Sequence, residues 1–369
     1  MKAVGVFAAE RRYEVIDHPM PEIANPGQVK LRVLEVGICG TDKEIVSFEY
    51  GNPPEGSPYL ILGHECLAQV ADVGSSVTNL KTGDLVVPTV RRPCSHVTCA
   101  ACRQGRQDFC FSGDFTERGI NQKHGFMSEF VVEDGANVNV VPARLRDVAV
   151  LVEPLTIAEK GIGQLWQVQQ RLPWTQNEPD RPRGEGLRAV VLGGGPVGLL
   201  GAMKLVLEGF DTNVYSLSPP GSDLAGMAAS FGAKFIPAET TTVAQMAEMI
   251  GNIDVVYEAT GVSSLSFEVL KHLGTNGAFL FTGVPALKGP KTIDTDLIMR
   301  NMVLKNQVAL GTVNASKQSF ADAITDLGQF YQRWPKSVGS LITSRFPIDQ
   351  VKEPLSGKVG GIKSILTIA

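Results

Sequence analysis

The sequence predicts an α/β protein in two parts. A strand-rich barrel or sandwich occupies the first 150 residues, and a parallel sheet wrapped by helices follows. Three observations predict it. The first 150 residues are dense in Gly, Pro and β-branched residues, with no helix signal beyond one turn. From residue 188 onward, apolar strands alternate with helix-like segments. Between one such strand and the next helix stands the glycine turn "GGGPVG".

The length of 369 residues exceeds one ordinary core and fits two domains. Hydrophobic residues make up 43% and charged residues 20%, a globular balance with ample core material. A net charge of −4 argues against a general nucleic-acid binder, and the short mixed charge runs read as solvated surface. The N-terminal apolar run is short and is broken by Glu10, Arg11 and Arg12, unlike a signal peptide. No stretch approaches the ~18 apolar residues of a membrane span. A cytoplasmic location is expected, with six cysteines as thiols or metal ligands rather than disulfides.

In chain order, "QVKLRVLEVG" (28–37), "CLAQVADVG" (66–74), "DLVVPTV" (84–90) and "MSEFVVED" (127–134) read as short strands ended by turns. The polar, Pro-rich segment 171–186 reads as a loop or exposed insertion. After it, "RAVVLGGGPVGLLGAMKLVLEGF" (188–210) is a buried strand, a glycine turn and a long apolar helix. "TNVYSLS" (212–218), "IDVVYEATG" (253–261) and "GAFLFTGVP" (277–285) are further strands, and "SSLSFEVLKHLG" (263–274) is helical. No internal repeat or low-complexity tract is present.

In the turn, Gly193, Gly195 and Gly198 form G-x-G-x-x-G. The first glycine makes the tight turn, the second admits a pyrophosphate to the backbone, and the third lets helix pack on strand. The phosphates then meet the free N–H groups and dipole of the helix N-terminus. Dinucleotide binding follows from this strand–turn–helix context. An acid is expected about 20–25 residues on, to bind the ribose of NAD. Ser216 and Ser218 stand there instead. No carboxylate repels a 2′-phosphate and no arginine attracts one, so NADP is mildly favoured and use of both NADP and NAD is admitted.

"CSHVTCAACRQGRQDFC" holds Cys94, Cys99, Cys102 and Cys110. Tetrahedral zinc needs four soft ligands brought together by tight turns. Cys99 and Cys102 form such a knuckle, and Cys110 returns seven residues later. The fourth ligand is Cys94 or His96; Cys94 is favoured because four thiolates grip zinc most firmly. Such a closed site is structural. A zinc-ribbon nucleic-acid module is the rival, since Arg91, Arg92, Arg103 and Arg106 flank the cluster, but the strand-rich, acidic context argues against it.

Upstream, "VGICGTDKE" holds Cys39, and 25 residues later "LGHEC" supplies His64 and Glu65. Glu153 in "VEPLTIAEK" is an acid among apolar residues, and a buried carboxylate needs a partner, for which a metal suffices. Cys39, His64 and Glu153 together could form an open zinc site of three protein ligands plus water or substrate.

The series "GICGTD", "GHE", the cysteine lobe and "GGGPVG" resembles, in order, the zinc-containing medium-chain alcohol dehydrogenases over nearly the whole chain. Within them, "TVRRPC", "GRQDFC", "HGFMSEF", "VEPL", "YEATG" and "GTVN" resemble the glucose 1-dehydrogenase subfamily. Two features depart from the pattern: the longer gap after Cys94, and the absence of arginines that mark NADP preference in some members.

The resemblance implies a GroES-like, partly open β-barrel catalytic domain of residues 1–155 with 315–369, and a Rossmann domain of residues 156–314. The substrate would lie in the cleft between them, and 294–314 would be the crossing segment. Cys39 and His64 match catalytic zinc ligands. Glu65 matches an acid that enters or leaves the ion's first shell, and Glu153 an acid that binds zinc directly or through water. Thr41 matches the hydroxyl that relays the substrate proton. Glu117, Glu153 and Asn314 match sugar-contacting positions. Pro196, Val197, Thr260, Gly261, Gly283, Val284, Val313 and Asn314 join the glycines and serines as cofactor-lining positions. Cys66 matches nothing and reads as core.

The expected reaction is oxidation of an aldose, D-glucose first, at C1 to the lactone, with hydride passed to NADP or NAD. A homo-oligomer, dimer or tetramer, is implied, with no nucleic-acid or membrane partner. A sister zinc dehydrogenase of polyols, alcohols or threonine is the near rival. A nucleotide-binding structural protein that lost catalysis is the distant one, but it predicts broken ligands, and Cys39, His64 and Glu153 are all present.

Overall fold

The structure is a computed structural model and describes residues 1–175, 182–286, 289–357 and 359–369. The chain divides into two compact units: residues 1–156, 314–331 and 338–369, and residues 157–313 with 332–337.

The first unit is built on the strand Gln28–Gly37. Its Val and Leu residues are buried almost throughout, because sheet neighbours and loops cover both faces. It pairs antiparallel with Glu65–Val73 on one side and with Phe130–Asp134 and Lys363–Thr367 on the other. Two register shifts against Glu65–Val73 bend the pair, as bulges do in barrels. Leu85–Pro88, Val138–Val140 and Ile342–Pro347 complete a seven-stranded sheet. A three-stranded sheet of Lys2–Phe7, Arg12–Asp17 and Leu60–Ile61 adds to the GroES-like barrel.

Gly40–Val46 is a seven-residue helix, where the sequence reading allowed no more than one turn in the first 150 residues. Seven residues are too few to display a helical apolar period. The helix is fixed at its start instead, where the Asp42 carboxylate accepts the backbone N–H of Cys39 at 2.8 Å.

The second unit is a Rossmann domain. Its six parallel strands run in the spatial order Lys234–Pro237, Asp211–Ser216, Arg188–Leu192, Val255–Glu258, Ala278–Phe281, Val308–Gly311. This is the doubly wound 3-2-1-4-5-6 order, whose switch point lies between Arg188–Leu192 and Val255–Glu258. Val190, Leu192, Val256 and Phe279 carry the sheet's share of a core closed by Met246, Val269 and Leu270 from the helices. The stretch 294–314, expected as a crossing segment, is mostly part of this unit. Thr295–Leu304 is a helix and Val308–Gly311 the last strand, so only 313–314 crosses. A strand that follows a helix by three residues satisfies its backbone in the sheet, which a linker cannot do.

Of the expected loop 171–186, Pro173–Thr175 forms a 3₁₀ turn and residues 176–181 lie outside the described residues. Among the described residues, no helix is long and apolar enough to cross a membrane.

Candidate active site

The strand Gln28–Gly37 delivers the chain to Cys39, which opens the short helix, and Glu65–Val73 begins with Glu65 just after His64. The two strands pair in register Gly37↔Glu65, which brings the two motifs side by side. One donor atom each from Cys39, His64 and Glu65 lies within 4.8 Å of the others. That spacing and the thiolate–imidazole–carboxylate chemistry fit a tetrahedral zinc ion. His64 and Glu65 are buried, so charge placed among them is weakly screened.

Two residues that the sequence reading passed over complete this cluster. Asp42 is fully buried, and its second oxygen faces His64 Nδ1 at 3.7 Å, beyond hydrogen-bond reach. Among the described residues neither atom has a hydrogen-bond partner. Lys363 arrives on the strand Lys363–Thr367, where it ion-pairs with Glu65 and donates to the Ile38 carbonyl at 2.9 Å. Gly37 makes room for both: a Cβ there would sit 2.0 Å from Glu65 Oε2 and 2.9 Å from Lys363 Cε. Asp42 had a signal, its spacing of three from Cys39. Lys363 had none.

Burial works to lower the His64 pKa, but the charges of Asp42, Cys39 and Glu153 outweigh it and hold it well above its ordinary value. Glu153, in the first turn of the helix Val152–Gln169, is not one of the three clustered donors. It stands close enough to feel them. Burial first, then Glu65, pushes its carboxyl up to about 7, against the pull of His64 and Lys363. Thr41 Oγ1 lies 3.9 Å from Cys39 Sγ. Cys66 is fully buried, and burial pushes its thiol up, as core placement requires.

Cys94, Cys99, Cys102 and Cys110 form a second cluster within the same 4.8 Å limit. His96 is not in it; its ring pairs with Asp114. Against the upward push of burial, the Ser112 hydroxyl and nearby N–H groups bring Cys110 down to about 6, while burial pushes its neighbour Cys102 up to about 12, so the thiols share their protons unequally. Arg91 and Arg92, weighed as nucleic-acid contacts, are buried. Arg91 pairs with Glu117, and Arg92 with Glu133, which Arg118 also holds. Arg106 pairs with Asp108.

Glu117 is buried on the strand Thr116–Arg118. Its Oε1 takes Arg91 Nε at 3.0 Å and Asn314 Nδ2 at 2.7 Å. The Arg91 guanidinium stacks on Phe115, 3.7 Å from the ring centroid. Asn314 holds a left-handed φ of 59°, which Asn tolerates better than most residues, and its Oδ1 accepts Ala315 N–H.

In the second unit, Gly193 sits at φ 103° and Gly195 precedes the helix Pro196–Leu207, with Pro196 at its first position. A Cβ on Gly198 would lie 2.2 Å from the Gly193 carbonyl, the close helix–strand contact the turn requires. A Cβ on Gly195 would meet nothing within 4 Å, leaving its backbone open to a ligand. Val197 is half-buried in the helix's first turn. Ser216 ends its strand and Ser218 follows two residues on. Thr260 and Gly261 lie on the loop after Val255–Glu258, and Gly283 on the loop after Ala278–Phe281. Val284 and Val313 are exposed. Lys160 Nζ holds the Val313 carbonyl at 2.7 Å.

A GroES-like barrel followed by a Rossmann sheet defines the medium-chain dehydrogenase class. Residues 25–143 match the family described as alcohol dehydrogenase GroES-like domain, and residues 146–368 that described as glucose dehydrogenase C-terminus. A glucose 1-dehydrogenase of Methanocella arvoryzae is 37% identical, with 100% of this chain and 99% of the relative covered. Glucose 1-dehydrogenase 1 of Caldivirga maquilingensis is 38% identical at the same coverage. The structure of Haloferax mediterranei glucose dehydrogenase in complex with NADP, Zn and gluconolactone superposes with a TM-score of 0.86 at 28% identity, covering 100% of this chain and 99% of that one. The chain belongs to the glucose dehydrogenase family of zinc-dependent medium-chain dehydrogenases.

Proposed function

We propose that this chain oxidises an aldose, D-glucose first, at C1 to the lactone, passing hydride to NADP or NAD. The observation that carries the reading is the meeting of Cys39, His64 and Glu65 in a chain alike over its full length to glucose 1-dehydrogenases.

Cys39, His64 and Glu65 would hold the catalytic zinc, with Glu153 a further acid within its reach. Bound there, zinc supplies a Lewis acid that lowers the pKa of a sugar hydroxyl. The rest falls to the chain. Asp42 holds Cys39 through its backbone and faces the imidazole, which orients both. Lys363 neutralises Glu65, which limits how much negative charge the cluster gathers. Thr41 Oγ1 takes the hydroxyl proton and passes it outward. Glu117, Glu153 and Asn314 accept and donate hydrogen bonds to the sugar, and they reject analogues lacking a hydroxyl because buried polar groups would be left unpaired. Gly193, Gly195, Pro196, Val197 and Gly198 receive the pyrophosphate, Ser216 and Ser218 the adenosine ribose. Thr260, Gly261, Gly283, Val284, Val313 and Asn314 line the remaining half of the cofactor. The protein's share is to place donor and acceptor carbons in contact and exclude water. Cys94, Cys99, Cys102 and Cys110 hold a structural zinc.

The reading extends to a cytoplasmic dimer or tetramer, checked by light scattering and cell fractionation. Turnover is tested by cofactor absorbance on glucose, galactose and xylose beside sorbitol, threonine and ethanol, with NADP and with NAD. Aldoses should lead, chelation should abolish the rate, and zinc should restore it. A lead for sorbitol, threonine or ethanol rejects the sugar assignment.

A further inference from the structure

We infer that Glu258 is a positioning residue of the dinucleotide site, its one carboxylate tying the loop after Val255–Glu258 to the loop after Ala278–Phe281. The inference rests on the second unit binding a dinucleotide, and not on which substrate is oxidised.

Glu258 is the last residue of its strand and lies beside Arg188–Leu192, where the strand order reverses. Open parallel sheets bind ligands outside the carboxyl ends of the strands at this point. The residue is 1% exposed. A buried carboxylate needs compensation, commonly a cation. Here the partners among the described residues are N–H and O–H donors only. Oε1 accepts Thr260 N–H at 2.7 Å, the Thr260 hydroxyl at 2.6 Å and Gly261 N–H at 2.8 Å. Oε2 accepts Gly283 N–H at 3.2 Å. Four donors from two loops converge on the two oxygens of one carboxylate.

The loops it joins are closed tightly around it. A Cβ on Gly283 would lie 2.2 Å from Gly261 N, and one on Gly261 2.6 Å from the Val284 carbonyl. The Thr260 methyl in turn abuts the glycine turn: a Cβ on Gly193 would lie 2.8 Å from it. Glu258 thus sets Thr260 against the phosphate turn and Gly261 against Gly283. These loops lie on the far side of the switch point from Asp211–Ser216, so they serve one half of a dinucleotide and not the other.

Glutamine separates the roles. With its oxygen toward Thr260 and Gly261 it keeps three bonds, and its NH₂ then opposes Gly283 N–H, so the side-chain tie between the loops is cut while the Glu258 main-chain carbonyl still holds Thr282 and the Gly283 N–H. The test is calorimetric titration of wild type, Glu258→Gln and Glu258→Asp with NADP, NAD and adenosine 2′,5′-bisphosphate. The last occupies only the adenosine side. Both variants should bind the dinucleotide about tenfold more weakly, as loss of a bond to a charged acceptor implies. The bisphosphate should bind within about twofold of wild type. Aspartate gives the same pattern because it is one methylene short of spanning both loops. Unchanged dinucleotide affinity overturns the inference. A parallel loss for the bisphosphate also overturns it, since that marks a general fold defect. A wild-type chain that binds neither dinucleotide removes both this inference and the cofactor assignment. Failure to oxidise glucose leaves it standing.

Discussion

Glu117 accepts a 2.7 Å hydrogen bond from the side-chain amide of Asn314, 197 residues further along the chain. Both Arg91 contacts fall on the same oxygen, Oε1. Asn314→Gly removes the amide at a φ of 59° that glycine adopts freely, so the backbone is spared. The KM for glucose should rise about tenfold, the cost of one directed hydrogen bond in a buried site. Steady-state kinetics check it, and a change below twofold would remove Asn314 from the sugar contacts.

Cys39 and Cys99 belong to two separate clusters, for which we propose a catalytic and a structural duty, and serine at each should separate them. Cys39→Ser should lose one zinc and at least about two orders of magnitude in turnover, because the Lewis acid goes with it. Its melting temperature should hardly move. Cys99→Ser should unfold early, since a structural zinc contributes of order 10 kcal/mol to small folds. Elemental analysis beside calorimetry reads both outcomes. Near wild-type turnover in Cys39→Ser would mean that the reacting centre lies elsewhere.

Gly195 and Gly198 differ in what a methyl group would strike. Gly195→Ala places it in open space, so the fold should hold while dinucleotide affinity drops about tenfold or more, through exclusion of the pyrophosphate. Gly198→Ala drives it into the Gly193 carbonyl and should cost about 2–3 kcal/mol of stability, as overpacking does. Thermal unfolding with and without NADP distinguishes them. Equal loss of stability in the two would contradict the geometry.

Burial, helped by His18 and Arg118, brings His124 down to about 4. Its Nδ1 accepts the Ile61 N–H at 3.2 Å and Tyr59 stacks on its ring. The folded state thus keeps the ring neutral, while the unfolded chain protonates it near 6.5. The stabilisation is complete above 6.5 and is lost as pH falls toward 4. His124→Asn keeps an acceptor near Nδ1 and removes the titration. Urea midpoints measured from pH 7.5 to 4.5 should fall less steeply in the variant. Parallel slopes would assign the acid sensitivity to other groups.

The features legible in the sequence are those whose partners lie close along the chain. The glycine turn and the cysteine knuckle state their geometry in a few residues, and the strand–helix alternation from residue 188 announces the parallel sheet. Cys39 and His64 were readable as a pair only with the family's motifs beside them, since 25 residues of spacing say nothing about distance. Asp42 was overlooked because its helix is too short to show a period. Lys363 was invisible. It reaches Ile38 across 325 residues through a strand pairing that no local pattern encodes. Glu117 and Asn314 stood out only through the family's motifs, and their bond to one another across 197 residues had no local signal.

The strand Lys363–Thr367 has a further consequence for how the molecule is made. It lies between Gln28–Gly37 and Ile342–Pro347. A ribosome delivering residues vectorially exposes Cys39, His64 and Glu65 long before it releases the lysine that offsets Glu65. Throughout that interval Gln28–Gly37 lacks one neighbour, and its free edge is open to pairing with another nascent chain. The Rossmann unit, by contrast, has all six strands translated by residue 311. Closure of the barrel around Cys39, His64 and Glu65 therefore waits for Lys363–Thr367, and a transcript cut short between codons 338 and 363 yields a Rossmann unit with all six strands beside a barrel that lacks this one.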